Sequence, residues 1–225
     1  RSIKVFDLSA AFRLKDASLY PKHYAFEHTS PSNLSAAVYG LPERFRSAIK
    51  TADLIAVPGC YPTGALLGLL PFLREGLIDP EQIVINAASG VSGAGRRMQE
   101  DLLFCEVEGS VRPYGLPRHR HLPEIARIAD LAPGDGLLFI PHLAPLDRGL
   151  ICSLSARLAE GAGVREVAAV FAAAYGESPF VRIADDTRLP STGDVRGTNA
   201  CVLGWTLAPG GRHILCSRSP TGPPA

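Results

Sequence analysis

VPGCYPTGALLGLLPFL, Val57 to Leu73, is the stretch whose reading decides the fold of this 225-residue chain. The residues before it, ADLIAV (Ala52–Val57), form a short apolar run that stops at Pro58-Gly59. That is the profile of a buried parallel strand ending in a sharp turn. A helix is expected next, from about Pro62 to Arg74, because proline suits a first helical turn, where its missing N–H costs nothing. Leu66, Leu67, Leu69, Leu70, Phe72 and Leu73 leave almost no polar face, so this helix should be buried. Cys60 stands at or just before its start. Free N–H groups and the positive end of the helix dipole favour a thiolate there, and the same groups suit an oxyanion formed by attack on a carbonyl. The residues leave two roles open for Cys60: a small buried hydrophobe, or a nucleophile aimed by a helix end.

Outward from this centre, strands are expected over Ser2–Leu8, Gln82–Ala88, Gly136–Leu143, Gly149–Leu158, Phe180–Ile183, Ala200–Leu207 and His213–Ser217. Pro123–Leu131 and the alanine-rich Val164–Tyr175 read as helices, Ala36–Ile49 mixes turn and helix signals, and the polar, aromatic Tyr20–Ser32 reads as a loop. The first quarter alternates strand and helix, while the later strands suit antiparallel pairing. The pattern is a piece of a parallel α/β unit joined to an α+β domain. Residues 217–225 are rich in turn formers and are expected to be disordered. The chain begins without Met in strand-like sequence, as a fragment of a longer protein would.

Composition narrows the function classes. With a formal charge of +1 and no basic run, nothing points to a nucleic acid or a membrane surface. No apolar stretch reaches the roughly 18 residues of a membrane span, and the N-terminus lacks a secretory pattern. The five cysteines (Cys60, Cys105, Cys152, Cys201 and Cys216) are odd in number and irregularly spaced, without a C-x-x-C pair. A reducing, cytoplasmic location fits them better than a disulfide framework.

Two further segments bear on chemistry. RHRHLPEI (Arg118–Ile125) places His119 and His121 two residues apart, just upstream of a helix start at Pro123-Glu124. If the segment is extended, both imidazoles share one side and one of them can serve a cysteine as acid and base. A solvated basic loop is the plainer alternative, and a metal site needs a third ligand that no local spacing supplies. SGVSGAGR (Ser89–Arg96) follows a strand, and its Gly and Ser residues allow close backbone approach to a phosphate or a planar ring. It is neither GxxxxGK[ST] nor GxGxxG, and a flexible turn explains it equally well.

Taken together, DLSAAFRL (Asp7–Leu14), VYGLPERFR (Val38–Arg46), VPGCYPTGALLGLLPF (Val57–Phe72), INAASGVSGAGR (Ile85–Arg96), HRHLPEI (His119–Ile125), PHLAPLDRGLICS (Pro141–Ser153) and LPSTGDVRGTN (Leu189–Asn199) resemble the N-acetyl-gamma-glutamyl-phosphate reductases of arginine biosynthesis, in that family's order. The resemblance implies a partial Rossmann-type parallel sheet joined to a glyceraldehyde-phosphate-dehydrogenase-like catalytic domain with a mixed, largely antiparallel sheet. It implies a dinucleotide-domain remnant over 1–59, a catalytic and dimerisation domain over 60–216, and a homo-oligomer, dimer or tetramer. It also implies NADP(H) as cofactor and an acyl phosphate as substrate, with Cys60 as nucleophile and His121, or else His119, as acid/base. Arg13, Thr63 and Arg118 then contact substrate, and Ser89, Gly90, Ser92 and Gly93 line the nicotinamide. Three departures stand out. The family's Gly-rich dinucleotide fingerprint ahead of DLSA is missing, position 11 is Ala where the family usually has Asp, and the glycine-rich C-terminal helix is replaced by SRSPTGPPA. This chain is therefore expected to lack useful reductase activity by itself. Other readings of the same scaffold are a reductase of carrier-bound aminoadipyl phosphate in lysine biosynthesis, a non-enzymatic remnant, and a thiol hydrolase.

Overall fold

The computed structural model describes residues 3–95, 98–131, 136–184 and 188–220. Its first part is a small parallel sheet of order β1-β3-β2, formed by β1 (Val5–Asp7), β2 (Val38–Tyr39) and β3 (Leu54–Ala56). Helices α1 (Leu19–Tyr24) and α2 (Pro42–Thr51) lie between these strands in the chain. Ile55 is the central rung, opposite Phe6 on one side and Val38 on the other.

The second part is a seven-stranded sheet of order β5-β6-β4-β7-β10-β9-β8. Its strands are β4 (Ile78–Ser89), β5 (Arg112–Pro113), β6 (Leu137–Leu143), β7 (Leu150–Leu158), β8 (Val181–Ile183), β9 (Cys201–Leu207) and β10 (His213–Pro220). Pairing is parallel for β4 with β6 and β8 with β9, and antiparallel elsewhere. The sheet is thus mixed, as expected. Helices α3 (Cys60–Arg74), α5 (Leu122–Ala129) and α6 (Val164–Tyr175) pack on one face, and the short α4 (Phe104–Val107) precedes β5.

The period-2 rule decides which side chains meet the helices. In β7, Leu150, Cys152, Leu154, Ala156 and Leu158 are buried, while Ser153 and Arg157 on the opposite face are exposed. Exposed Asn86, Leu138 and Leu215 extend that open face across β4, β6 and β10.

α3 lies between this sheet and the residues around β2, in one core with Tyr39 and Leu41 on one side and Leu154, Leu203 and Ile214 on the other. That position explains why it is apolar all round. Pro71 lies inside the helix and has no N–H for the carbonyl of Leu67. The Tyr175 hydroxyl on α6 donates to that carbonyl instead, so the proline leaves no orphaned acceptor in the core.

Three local expectations are corrected. The loop read over Tyr20–Ser32 contains α1, because Tyr20 is fully buried and packs its ring against Tyr24, Phe26 and His28. Of the strand read over Ser2–Leu8, only Val5–Asp7 is paired, and Ser2 lies outside the described residues. The disordered tail read over 217–225 begins too early. Ser217–Pro220 continue β10, with Ser217 opposite both Ser153 and Gly204, and residues 221–225 lie outside the described residues.

Candidate active site

The Pro-Gly turn after β3 delivers the chain into α3, which starts at Cys60 with Gly59 as its N-cap. Thr63 closes the first turn twice: its N–H and its hydroxyl both donate to the Gly59 carbonyl, at 3.0 and 2.9 Å. The Thr63 hydroxyl, expected to contact substrate, donates its proton to the helix start. Cys60 is part-buried. Burial pushes its thiol up, against the N–H groups of Tyr61 and Cys60 and the charge of Arg120, which pull it down. The expected lowering by the helix end is present but is outweighed by desolvation.

His121 comes to this turn from across the molecule, as the N-cap of α5. A β-carbon placed on Gly59 would lie 2.5 Å from His121 Nε2 and 3.0 Å from Arg13 Nη1, so the imidazole rests directly against the residue before Cys60. His121 is buried, and its Nδ1 has no hydrogen-bond partner among the described residues. Burial, followed by His119, Arg120 and Arg13, holds it well below the usual imidazole range. His119 lies beside it, with ring centroids 4.9 Å apart, and its Nδ1 accepts the His121 backbone N–H. The HRH segment thus brings both imidazoles to one place, at a tight turn rather than on an extended strand. His119 is also buried, against Tyr61, Tyr114 and Phe139. Burial and Arg120 hold it down to about 4. Both rings are held uncharged at neutral pH, which is the charge state of a general base.

Arg13 is 8% exposed and tied at three points: Nε donates to Val57 O at 2.8 Å, Nη2 to Leu8 O at 3.4 Å, and Nη1 lies 3.5 Å from Glu124 Oε2. The guanidinium expected on a substrate phosphate thus braces the turn. Arg118 is exposed, as is its neighbour Arg120. Ala11, the departure from the family pattern, is anchored through its backbone, its N–H to Ser9 Oγ and its carbonyl to His28 Nε2.

The glycine loop divides. Ser89 is buried, and its side chain acts to lower the pKa of both Tyr61 and Tyr114, against the larger rise from burial. Gly90 is a glycine because Leu146 O would lie 2.5 Å from a β-carbon there, and its N–H donates to Gly149 O. Ser92 and Gly93 are exposed and leave room for a planar group, while Arg96 lies outside the described residues. Tyr114, Tyr61, Arg120 and Glu124 are site residues that the sequence does not single out. Tyr114 Oη donates to Tyr61 Oη at 3.4 Å, joining the cysteine helix to the segment before the histidines. No group of three or more His, Cys, Asp or Glu among the described residues is placed to hold a metal ion.

The two buried histidines make the fold acid-sensitive. Between the ordinary 6.5 and the native value of about 4, the unfolded chain holds a proton on His119 that the folded chain does not. Stability is then complete above pH 6.5 and is lost as pH falls toward 4, by about 3 kcal/mol from His119 alone. His121 adds in the same sense. Glu124, raised chiefly by burial, works in the opposite sense just above its ordinary value of 4.5. Urea melts between pH 7.5 and 4.5 check this, and a constant midpoint would count against it.

The match to known proteins follows this geometry. Residues 60–219 match the family model described as "Semialdehyde dehydrogenase, dimerisation domain". An N-acetyl-gamma-glutamyl-phosphate reductase of Geobacter sp. (strain M21) is 46% identical over 206 residues, 90% of this chain and 59% of that protein. One from Ectopseudomonas mendocina (strain ymp) is 47% identical over 214 residues, 94% of this chain and 62% of that protein. The chain thus spans less than two thirds of the curated relatives it matches. Among solved structures, aspartate semialdehyde dehydrogenase II from Vibrio cholerae superposes with a TM-score of 0.64 at 13% identity, over 83% of this chain and 63% of that one, a likeness of fold. The match over α3, the histidine turn and the seven-stranded sheet places the chain in the semialdehyde dehydrogenase family.

Proposed function

We propose that the chain is the catalytic and dimerisation part of an NADP(H)-dependent N-acetyl-gamma-glutamyl-phosphate reductase of arginine biosynthesis, working in the cytoplasm. Residues 1–59 belong to the cofactor domain in this reading. The observation that carries it is the His121 imidazole against the Gly59-Cys60 turn. The relatives named for this reductase support the substrate, and nothing favours the aminoadipyl alternative.

The chemistry follows from these residues. His121, neutral, takes the Cys60 thiol proton as Sγ attacks the acyl carbon. The carbon–oxygen bond to phosphate breaks, phosphate leaves, and a thioester remains on Cys60. The free N–H groups at the start of α3 stabilise the oxyanion of that step. His119 holds the His121 backbone N–H, and Arg118 with Arg120 supplies positive charge at the exposed rim for the substrate phosphate. Arg13 and Thr63 serve that substrate through the turn they brace. Bound NADPH supplies the hydride that takes the thioester to the aldehyde level. Ser92 and Gly93 are the residues that fit its ring, with Ser89 and Gly90 supporting them from beneath. The open face of the large sheet, around Leu138 and Leu215, is where we place the contact between copies of the chain.

Acylation tests the reading without the cofactor. Mixed with N-acetyl-gamma-glutamyl phosphate, the chain is expected to release one phosphate per Cys60 in a burst. The Cys60→Ser chain should show no burst. An equal burst from both would sink the assignment.

A further inference from the structure

Glu124 is fully buried, yet nothing in the reaction as written uses it. Its Oε1 accepts two hydrogen bonds, from Tyr39 Oη at 2.7 Å and from the Gly59 N–H at 2.9 Å. Its Oε2 faces Arg13 Nη1 at 3.5 Å, longer than a well-formed charge-assisted bond. Arg127, one turn further along α5, donates to the Arg13 carbonyl at 2.6 Å. Four separate parts of the chain thus meet at one carboxylate: β2, the segment after β1, the turn before α3, and α5.

The geometry has a direction. His121 and Glu124 are three residues apart at the start of α5, and the His121 carbonyl accepts the Ile125 N–H at 3.0 Å, so both belong to one rigid first turn. From that turn the imidazole rests against Gly59 while the carboxylate bonds the Gly59 N–H. Residue 59 is gripped twice by the same helix end, and the next residue is Cys60. A buried charge is a poor way to add stability, since apolar packing does as well, but it holds geometry closely.

We propose that Glu124 is the positioning residue of this site, fixing the turn that carries Cys60 at the distance from His121 that proton transfer requires. The proposal rests on the reading of Cys60 and His121 as nucleophile and base. It concerns the length of the side chain and its acceptor oxygen rather than its charge. Glu124→Gln keeps an oxygen at the same reach. Glu124→Asp keeps the charge but draws the oxygen back by one methylene.

The test is the rate at which iodoacetamide alkylates Cys60 at pH 7, followed by peptide mapping in the full chain, with thermal melts confirming that each variant is folded. His121→Asn should slow Cys60 about tenfold or more. Glu124→Asp should slow it about tenfold and Glu124→Gln by less than about threefold. Added to His121→Asn, Glu124→Asp should change nothing further, because the two act through one distance. Wild-type reactivity in Glu124→Asp overturns the proposal. So does the reverse order, with Gln slow and Asp fast, or a full slowing by Asp in the His121→Asn background, which marks a merely structural role. His121→Asn alone at the wild-type rate sinks the nucleophile–base reading itself. A slow His121→Asn with a fast Glu124→Asp sinks only the role of Glu124.

Discussion

Gly59→Ala is expected to slow acylation of Cys60 about a hundredfold, because a misplacement on the order of 1 Å at a reacting pair costs that much. The backbone at residue 59 (φ −68°, ψ 158°) is open to any amino acid, so strain in the turn is not the cause. The cause is the absence of space. The new methyl group meets His121 Nε2 at 2.5 Å and Arg13 Nη1 at 3.0 Å. Neither neighbour yields easily: His121 is buried beside His119 and Tyr61, and Arg13 is tied to Val57, Leu8 and Glu124. Overpacking of this kind costs about 1–3 kcal/mol, so the chain stays folded while Cys60 and its proposed base, His121, move apart. Phosphate-burst kinetics and a thermal melt measure the two effects. A wild-type burst rate would mean that the imidazole has no part in the step.

Phe72→Ala should cost about 3–5 kcal/mol of stability, the range for emptying a fully buried aromatic site. Phe72 has no exposed surface, and its ring stands edge-on to Phe171 of α6, with centroids 4.7 Å apart at 77°. The residue thus joins two helices, and a cavity here is walled by the sheet, which cannot collapse into it. Denaturant melts at neutral pH check the value, and a loss under about 1 kcal/mol would show that α3 and α6 repack. The chemistry at the other end of α3 should survive at temperatures where the variant remains folded.

Periodicity is local, and where the fold depends on local pattern it is legible in the sequence. The alternation in Leu150–Leu158 reads as a strand with one buried face, and the unbroken apolar surface of Leu66–Leu73 reads as a helix enclosed on all sides. Cys60 is legible for the same reason, since Gly59 and Pro62 mark a helix start. Glu124 is not. In the sequence it is an acidic residue in a first turn, favourable to the helix dipole. Its partners Tyr39 and Gly59 lie far off in the chain, and no pattern around any of the three announces the others. The partners of Arg13 are equally unannounced: its guanidinium is bound to the carbonyls of Val57 and Leu8 and to the Glu124 carboxylate. The helix-end argument for an acidic thiol names a real force and fails on magnitude, because burial at Cys60 is the larger effect. Gly90 looks like room for a ligand, but the close neighbour is the chain's own Leu146 carbonyl.

β10 has a consequence for how the molecule is made. It lies between β7 and β9, and among the described residues β8 is attached to the rest of the sheet only through β9. A ribosome emits β4, β6 and β7 first, and these can pair as they emerge. β9 and β8 then wait, because the strand that joins them to β7 is completed only with Pro220. Through that interval β7 has a bare edge, and the apolar surface of α3 has half of its cover. Exposed edges of this kind recruit the wrong strands, and pairings between distant segments close slowly. Synthesis speed between β7 and Pro220, and the presence of a chaperone during that interval, should therefore decide how much of this sheet reaches the folded state.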